Sequence, residues 1–222
     1  MESEFPPELA RLPPGRHGLP REFVSHNQRE RLIAGLAEAV AENGYAGTTI
    51  AHITRHAAVS RRTFYEHFNS KDECFIAAYD TVMVELRQRV DDAFGQQEEW
   101  PRAVQAGIGA MLEFFTAEPH LARLSMVEAL VAGPVVVERY DAAIQSLVPY
   151  FQAGREGRSA AVLAGLSPTT EEALVGGMVS LISRRIFADR TDELESLLPD
   201  LVEFTLTPYL GSAEAAEIAR ES

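Results

Sequence analysis

The chain has 222 residues, of which 46% are hydrophobic and 24% are charged, and its formal net charge at pH 7 is -13. This length and apolar content are enough for one large or two modest cores, and the single cysteine excludes an intramolecular disulfide. No apolar run approaches the length of a membrane span or a signal peptide, so we expect a cytoplasmic protein.

The charges divide unevenly along the chain. Residues 1–72 carry nine basic and nine acidic side chains, whereas residues 73–222 carry eleven and twenty-four, which account for the whole net charge. Five of the six histidines also lie in the first part, where protonation near phosphates would add positive charge. This asymmetry favours an approach to DNA through the first part.

Residues 1–24 contain five prolines and two glycines, a composition that predicts a flexible arm rather than regular structure. The end of the arm is basic, with Arg16, His17 and Arg21 just before the first predicted helix. Two interpretations stay open: Arg16 and Arg21 enter the minor groove of DNA, or the arm contacts nothing.

Two helices are predicted between the arm and residue 58. Ser25 and Gln28 have the spacing of a capping box that begins the first helix, and Gly44 ends it. Thr49 is a suitable cap for a short second helix. The inward-facing apolar residues of this second helix are Ile50, Ile53 and Ala57.

The next short segment is the most informative part of the chain. Ser60 is a suitable N-cap, and Phe64 and Phe68, four residues apart, share the buried face of the helix that it begins. Arg61 and Arg62 fall in the first turn, at the positive end of the helix dipole, where they suit phosphates and guanine edges. The pattern is typical of a DNA recognition helix.

Another helix start follows directly. Ser70 and Glu73 form a capping box, and Lys71, the only lysine of the chain, occupies the first helical position, which suits a phosphate contact. Apolar residues then recur at helical spacing to about Phe94, which predicts one long helix. Cys74 lies within it and is interpreted as a packed apolar side chain rather than a redox sensor.

The segment from about residue 25 to residue 79 resembles the DNA-binding domain of the TetR family of bacterial transcriptional repressors. The resemblance rests on Thr48, Thr49, Ile50, Ile53, Ala57, Val59, Ser60, Thr63, Phe64, Tyr65, His67, Phe68 and Lys71. It implies an all-α homodimer, in which a three-helix, helix-turn-helix head stands on a larger C-terminal helical bundle. In the family this body usually holds a small-molecule pocket, and it dimerises through its last two long helices.

Two positions depart from the family pattern. The family usually has glycine where this chain has Ala58, and alanine where it has Thr54. If the backbone of Ala58 is left-handed, the methyl group costs about 1 kcal/mol.

We therefore divide the chain into the arm at residues 1–24, a helix-turn-helix domain at residues 25–72 and a ligand-binding and dimerisation domain at residues 73–222. Arg61 and Arg62 are the predicted base contacts, with Thr63 in support. The remaining predicted DNA contacts, mostly with phosphates, are Thr48, Thr49, Ser60, Tyr65, His67 and Lys71.

Proline and glycine breaks divide the body into further helices. The predicted ranges are 101–115, 119–130, 134–153, 168–187 and 191–210, with a short helical turn at 159–166 and a polar tail that frays after residue 213. Gly176 and Gly177 permit the close approach of another helix, and the apolar content around them exceeds one face. This pattern predicts a helix that is buried between subunits.

Apolar side chains of the body are candidates for a ligand pocket, although such residues belong to an ordinary core more often than to a pocket. The candidates are Met111, Phe115, Met126, Tyr140, Phe151 and Met178. A pocket with such walls favours a hydrophobic or aromatic effector.

No phosphate loop, nucleophile elbow or zinc-protease motif is present, so we predict no enzyme and no cofactor. His52 and His56 are four residues apart but lack further zinc ligands at suitable spacing, so no metal site is predicted. The leading hypothesis is a cytoplasmic bacterial repressor that a small ligand releases from a palindromic operator. A ligand-independent dimeric regulator, whose body only dimerises or recruits a protein partner, and an enzyme or carrier with a vestigial head stay open as alternatives.

Overall fold

The computed structural model describes residues 21–221, which are helical and contain no strand. The α-helices of this range are α1 (Arg21–Gly47), α2 (Ile50–His56), α3 (Arg61–His67), α4 (Lys71–Gly95), α5 (Trp100–Ala117), α6 (Pro119–Met126), α7 (Pro134–Gln145), α8 (Val148–Gln152), α9 (Ala160–Gly165), α10 (Thr170–Phe187), α11 (Leu198–Leu210) and α12 (Ser212–Arg220). Single 3-10 turns occupy Glu128–Val131, Ala153–Arg155, Thr191–Glu193 and Glu195–Leu197. The predicted all-α fold is confirmed. Residues 1–20, which include Arg16 and most of the predicted arm, lie outside the described residues.

The helix α4 belongs to two hydrophobic cores. Its first turns contribute Phe75 and Tyr79 to the core of the head, where α1, α2 and α3 meet. Further along, Val82 and Val90 enter the core of the body. Because one continuous helix is packed into both cores, a shift of its body end moves the head with it. Among the described helices, none combines the length and the apolarity that a membrane crossing requires.

The head also rests directly on the body. Leu124 of α6, Ala129 of the following 3-10 turn and Val136 of α7 are buried in the same core as the head residues. Cys74 lies in this core as predicted, and burial raises the pKa of its thiol to about 12.

Two predictions at the start of the chain fare differently. Ser25 is not an N-cap, because α1 already begins at Arg21 and Ser25 lies inside it. The break at Gly44 is confirmed: this glycine has φ +66°, in the left-handed region, and one further turn leads to Gly47.

In the body the predicted helices exist but several ends differ. The helix predicted for 134–153 divides into α7 and α8, and Pro149 lies in the first turn of α8, where its missing N–H leaves no hydrogen bond unmade. The last long helix begins at Leu198 rather than at residue 191, again with proline in its first turn. The tail predicted to fray forms α12, because Ala215 and Ala219 are buried on one face of it.

A buried carboxylate fixes the beginning of α10. Glu171 is 2% exposed and accepts hydrogen bonds from Arg155 Nε and Nη2, at 2.7 and 2.9 Å, and from the Tyr209 hydroxyl at 2.9 Å. Burial alone would raise the pKa of Glu171, but the bonds from Arg155 and Tyr209 hold it below the usual value. The carboxylate therefore stays ionised at neutral pH and ties α10 to α11.

Candidate DNA interface and effector cavity

The recognition helix α3 is held from below by its aromatic face. Ser60 caps it as predicted, since its hydroxyl oxygen accepts a hydrogen bond from the Thr63 N–H at 3.0 Å. Phe64 is fully buried and Phe68 is 3% exposed. Phe64 also meets the exposed ring of Tyr65 edge-on, with centroids 5.5 Å apart. The helix is thus anchored along one side while its other side faces solvent.

Both arginines of α3 lie on this solvent side. Arg61 is exposed and makes no hydrogen bond with another described residue. The Arg62 side chain is 90% exposed and donates from Nε to Glu66 Oε1 at 3.1 Å, one turn along the same helix. Exposed ion pairs of this kind are weak, so both guanidinium groups are available to a large anionic partner.

The turn before α3 has a left-handed backbone at Ala58, the position where the TetR family usually has glycine. Ala58 has φ 49°, a left-handed conformation that is unfavourable for a side chain with Cβ. Arg31 of α1 fixes this turn, because its Nη2 donates to Ala57 O at 2.6 Å and to Ala58 O at 2.9 Å. Sequence reasoning missed Arg31, since its partners lie 26 and 27 positions away.

A second missed residue is Gly35 on α1. A Cβ atom at this position would lie 2.7 Å from Ala57 N and 2.9 Å from Ile53 O. Real side chains do not tolerate such distances to backbone atoms. Only glycine therefore lets α1 and α2 approach as closely as they do, and this approach sets the angle at which α3 is presented.

Thr48 and Lys71 hold the connection between α1 and α2. Thr48 is 3% exposed, and its hydroxyl lies 2.7 Å from Gly44 O and 3.0 Å from Ala39 O. Lys71 Nζ donates to Tyr45 O at 2.8 Å and to Thr48 O at 3.1 Å, and it lies 4.1 Å from the centroid of the Tyr45 ring. The Thr48 side chain faces the interior, and the Lys71 ammonium serves the fold with two of its three N–H groups.

The other predicted DNA contacts lie nearer the surface. Thr49 is exposed and caps α2 as predicted, since its hydroxyl accepts from the His52 N–H at 3.3 Å. His67 is half-buried, with Nε2 3.5 Å from Gln28 Oε1. Burial is the main reason that the pKa of His67 lies below its usual value, and the charge of Arg29 acts in the same direction. The ring of His67 is therefore neutral at pH 7.

No group of three metal-ligating side chains lies close enough together to hold an ion in the described range. Of the two outer histidines of α2, His56 has carboxylate neighbours on α1. His56 Nδ1 lies 2.9 Å from Glu38 Oε2, and its Nε2 lies 3.1 Å from Glu42 Oε2, so α1 and α2 are also tied by polar contacts.

A carboxylate of the body reaches into the head at the break in α1. Glu128 is 7% exposed, and its Oε2 accepts the Tyr45 N–H at 2.8 Å, directly after the left-handed Gly44. Arg123 lies beside it, with Nε 3.5 Å from Glu128 Oε1, and donates from Nη1 to Asp189 at 2.9 Å. Since Asp189 follows α10, this series of contacts connects the head with a long helix of the body.

The body contains a cavity of about 730 Å³, which lies between α4 and α7 and is also lined by residues of α5, α6, α8 and α10. Its walls are mainly apolar, and the side chains that form them include Met83, Leu86, Val90, Met111, Phe115, Met126, Ile144, Leu147 and Val179. Four of the six predicted pocket residues line it, namely Met111, Phe115, Met126 and Tyr140. Phe151 and Met178 instead line a void of about 20 Å³ that adjoins it at Met111.

The charged side chains of the cavity lie at its rim and are paired. Arg139 Nη1 donates to both oxygens of Asp80, at 2.7 and 2.9 Å. Arg87 Nε donates to Asp91 at 3.4 Å. Because each guanidinium group has its own carboxylate, the rim does not present a net positive charge to a ligand.

Residues 32–78 match the model of a family described as bacterial regulatory proteins, tetR family. Over 192 residues the chain is 27% identical to the HTH-type transcriptional regulator EthR of Mycolicibacterium smegmatis, an alignment that covers 82% of this chain and 84% of that protein. The match with the family model lies entirely within α1 to α4, which include the anchored recognition helix and its turn.

Solved structures share the fold over most of the chain. The fatty acid degradation regulator FadR from Bacillus halodurans superposes with a TM-score of 0.69 and 15% identity, over 82% of this chain and 98% of that one. The transcriptional regulator FadR from Bacillus subtilis, solved in complex with stearoyl-CoA, gives a TM-score of 0.66 at the same identity and the same coverage. At these identities the likeness shows a common fold.

Proposed function

Because the chain belongs to the tetR family of bacterial regulatory proteins and is thus a DNA-binding transcriptional regulator, we propose that it is a dimeric repressor that a hydrophobic small molecule releases from its operator. The observation that carries the DNA-binding part is the exposure of Arg61 and Arg62 on a helix whose opposite face is fixed by Phe64 and Phe68. Guanidinium groups so placed suit guanine edges and phosphates in a major groove.

The described surface supports contacts with phosphate from several sides of α3. Thr49, Ser60 and Tyr65 are exposed, and Lys71 retains one N–H that the fold does not use. Thr63 supports the N-terminal turn through its hydroxyl, 2.9 Å from Ser60 Oγ. We propose no direct DNA contact for the Thr48 side chain, because its hydroxyl is buried and already bonded.

We propose that the second copy of the chain covers the outer face of α10 and α11. Leu181, Phe187 and Phe204 are 39, 70 and 42% exposed there, an unusual exposure for such large apolar groups. The Phe204 ring lies across Gly177, where a Cβ atom would be 3.0 Å from it. Exposed apolar side chains of this kind suit a twofold interface, and a twofold dimer requires a palindromic operator.

The cavity supports the regulatory part of the proposal. Its size and apolar walls suit a small hydrophobic molecule, and the helix α4 both lines it and enters the head core. The solved relative from Bacillus subtilis holds stearoyl-CoA, a molecule with a long apolar chain. A ligand that changes the position of α4 changes the distance between the two heads, so that both can no longer fit the operator at once.

The proposed operator lies in the bacterial cytoplasm, where we place the protein. The family consists of transcriptional regulators, and we assign this chain no enzymatic activity. The ligand-independent regulator stays the second candidate, since a direct head-to-body core is also what a purely dimerising body would provide.

Operator selection from random duplexes, followed by footprinting, tests the DNA-binding part. We expect two half-sites whose centres lie about one helical turn or somewhat more apart. A single asymmetric site bound by one copy would overturn the dimeric mode. Calorimetry then tests regulation by measuring effector affinity with and without saturating operator. A coupling of about 1–3 kcal/mol means that effector and operator each lower the other's binding affinity by the same factor of about 5–150. Equal affinities for every compound that binds would favour the ligand-independent regulator.

A further inference from the structure

Two phenol groups interrupt the apolar wall of the effector cavity at its end nearest the head, and a buried serine hydroxyl lies behind one of them. Tyr79 of α4 and Tyr140 of α7 line the cavity, and Ser183 of α10 lies beside the Tyr140 hydroxyl. Tyr79 is 2% exposed and Ser183 Oγ is buried. Hydroxyls from three different helices thus meet in a largely apolar place.

These hydroxyls are poorly satisfied by the protein itself. Ser183 Oγ makes no hydrogen bond of normal geometry with the described part of the chain. Among the described residues the Tyr79 hydroxyl likewise has no hydrogen-bond partner, and Tyr140 and Asp80 influence it through charge. Burial raises the pKa of Tyr79 and of Tyr140, so both phenols keep their protons and act as donors at neutral pH. Buried donors without partners are unfavourable, and a ligand that accepts from them removes that cost.

The rest of the cavity indicates the shape and charge of such a ligand. Along α4 its lining runs from Tyr79 to Val90, which corresponds to about 16 Å of helix. Between these ends the wall is mainly apolar, with Gln88, Ser146 and Tyr150 as its uncharged polar members. The charged groups at the rim are already paired, Arg139 with Asp80 and Arg87 with Asp91. An anionic group at the hydroxyl end would therefore meet no unpaired cation.

We propose that the cavity selects a neutral, elongated apolar molecule with a single oxygen acceptor at one end, which the hydroxyls of Tyr79 and Tyr140 bind while Ser183 positions the Tyr140 hydroxyl. This inference rests on the proposed effector function and assigns it a chemical class: a long ketone, ester or alcohol rather than a hydrocarbon or a fatty acid. Because the three hydroxyls belong to α4, α7 and α10, the bound oxygen links, through Tyr140 and Ser183, the helix that carries the head to the helix of the proposed dimer face.

The test uses three probes with the same number of carbons, 2-dodecanone, dodecane and dodecanoate, and measures their binding to the full chain by equilibrium dialysis. We expect the ketone to bind about tenfold more tightly than the alkane, since one hydrogen bond to an otherwise unpaired donor has about this effect. The carboxylate should also bind more weakly than the ketone. Tightest binding of dodecanoate would overturn the proposal, because it would show that the cavity prefers an anion.

Conservative variants then locate the selectivity. Tyr140→Phe and Ser183→Ala should each reduce ketone affinity about three- to tenfold and leave alkane affinity unchanged, whereas Ser180→Ala, at an exposed position of the same helix, should change neither. Unaltered discrimination in both variants would overturn the assignment to these hydroxyls while the effector function stands. If none of the three probes bound, the apolar effector cavity itself would be refuted, and the inference with it.

Discussion

The head and the body are built in contrasting ways. In the head, Thr49, Ser60 and Ser70 cap three successive helices with side-chain hydrogen bonds, and Gly35 brings two backbones into contact. In the body, α5, α6 and α7 begin with proline in the first turn and without a side-chain cap, and they surround a cavity of about 730 Å³. The head is thus fixed by local devices, whereas the body depends on apolar packing that leaves space.

This difference suits the two tasks that we propose. A recognition helix must hold its donors in a fixed geometry, because base contacts tolerate little displacement. A binding cavity must instead adjust when a ligand enters, and helices held by apolar side chains can slide more easily than helices held by caps and backbone contacts. Besides the apolar contacts of α6 and α7 with the head core, the two regions are joined by α4 and by Glu128, and we expect adjustment in the body to become displacement of the head through these two connections.

The strongest test of this contrast is a methyl group added to one glycine in each region. Gly35→Ala should lower the free energy of unfolding by about 1–3 kcal/mol and abolish operator binding, because the new Cβ would overlap Ala57 N. The matched control is Gly109→Ala in α5, where the Cβ would lie 3.7 Å from Leu198, an ordinary contact. We expect the control to be neutral or to stabilise by up to about 1 kcal/mol, since alanine favours a helix. Chemical denaturation and operator titration measure both, and equal behaviour of the two variants would refute the close-contact explanation.

Removal of the carboxylate between the two regions should have the next largest effect. Glu128→Ala leaves the buried Tyr45 N–H without its acceptor, which should lower the free energy of unfolding by about 1–3 kcal/mol. Effector affinity in the absence of DNA should stay unchanged, but the effect of the ligand on operator affinity should decrease. Glu138→Ala, at an exposed position of α7, is the control and should preserve both quantities. Full coupling in Glu128→Ala would show that α4 alone transmits the change.

The two arginines of α3 test the rigid half of the comparison. Arg61→Ala or Arg62→Ala should weaken operator binding by about 1–3 kcal/mol and relax the preference at one base pair of each half-site. Their unfolding curves should not move, since Arg61 has no hydrogen-bond partner among residues 21–221 and the Arg62 pair with Glu66 is exposed. Selection of binding sites from random duplexes is the measurement. Wild-type preference in both variants would show that other residues contact the bases.

A variant of Lys71 tests whether its ammonium group both contacts a DNA phosphate and stabilises the fold. Lys71→Ala should weaken binding to all DNA sequences equally. It should also reduce the slope of log affinity against log salt concentration by about one. It should also lower the free energy of unfolding, because Tyr45 O and Thr48 O lose their donor. Titrations at several salt concentrations, together with denaturation, separate the two roles. A salt slope identical to that of the wild type would leave Lys71 with the structural role alone.

What the sequence predicted correctly depended on neighbours along the chain. The caps at Thr49, Ser60 and Ser70 follow from residues within one turn of each other, whereas the left-handed Ala58 was suggested only by the glycine that is usual there in the TetR family. The contacts that escaped prediction join distant positions: Glu128 with Tyr45 is 83 positions apart. No periodicity in the sequence encodes such pairs.

The same reason explains the mixed result for site residues. The resemblance to the TetR family suggested Thr48 as a DNA contact, but its hydroxyl points inward, where it donates to carbonyl groups of α1. The pocket candidates were chosen for their apolar character, which cannot distinguish Met111, on the cavity wall, from Met178, one layer away. The α12 helix was missed because Ala215 and Ala219 give only a narrow apolar stripe, and its stability comes from contact with α11.

The smallest predicted effect has an unusual sign and concerns the turn of the head. Ala58→Gly should raise the free energy of unfolding by up to about 1 kcal/mol, because it relieves a left-handed backbone that costs about 1–2 kcal/mol with a Cβ, while the greater freedom of unfolded glycine offsets about 0.5–1 kcal/mol of that gain. The matched control is Ala51→Gly at an exposed helical position of α2, where only the unfavourable contribution applies and stability should fall by about 0.5–1 kcal/mol. Denaturant midpoints of the two variants should therefore move in opposite directions from the wild type. Since Arg31 holds the carbonyl groups of Ala57 and Ala58 in either case, operator affinity of Ala58→Gly should remain within about twofold of the wild type. A fall in stability for both variants would mean that the turn is not strained, and that the head owes its fixed geometry to Gly35 and the helix caps without any cost at Ala58.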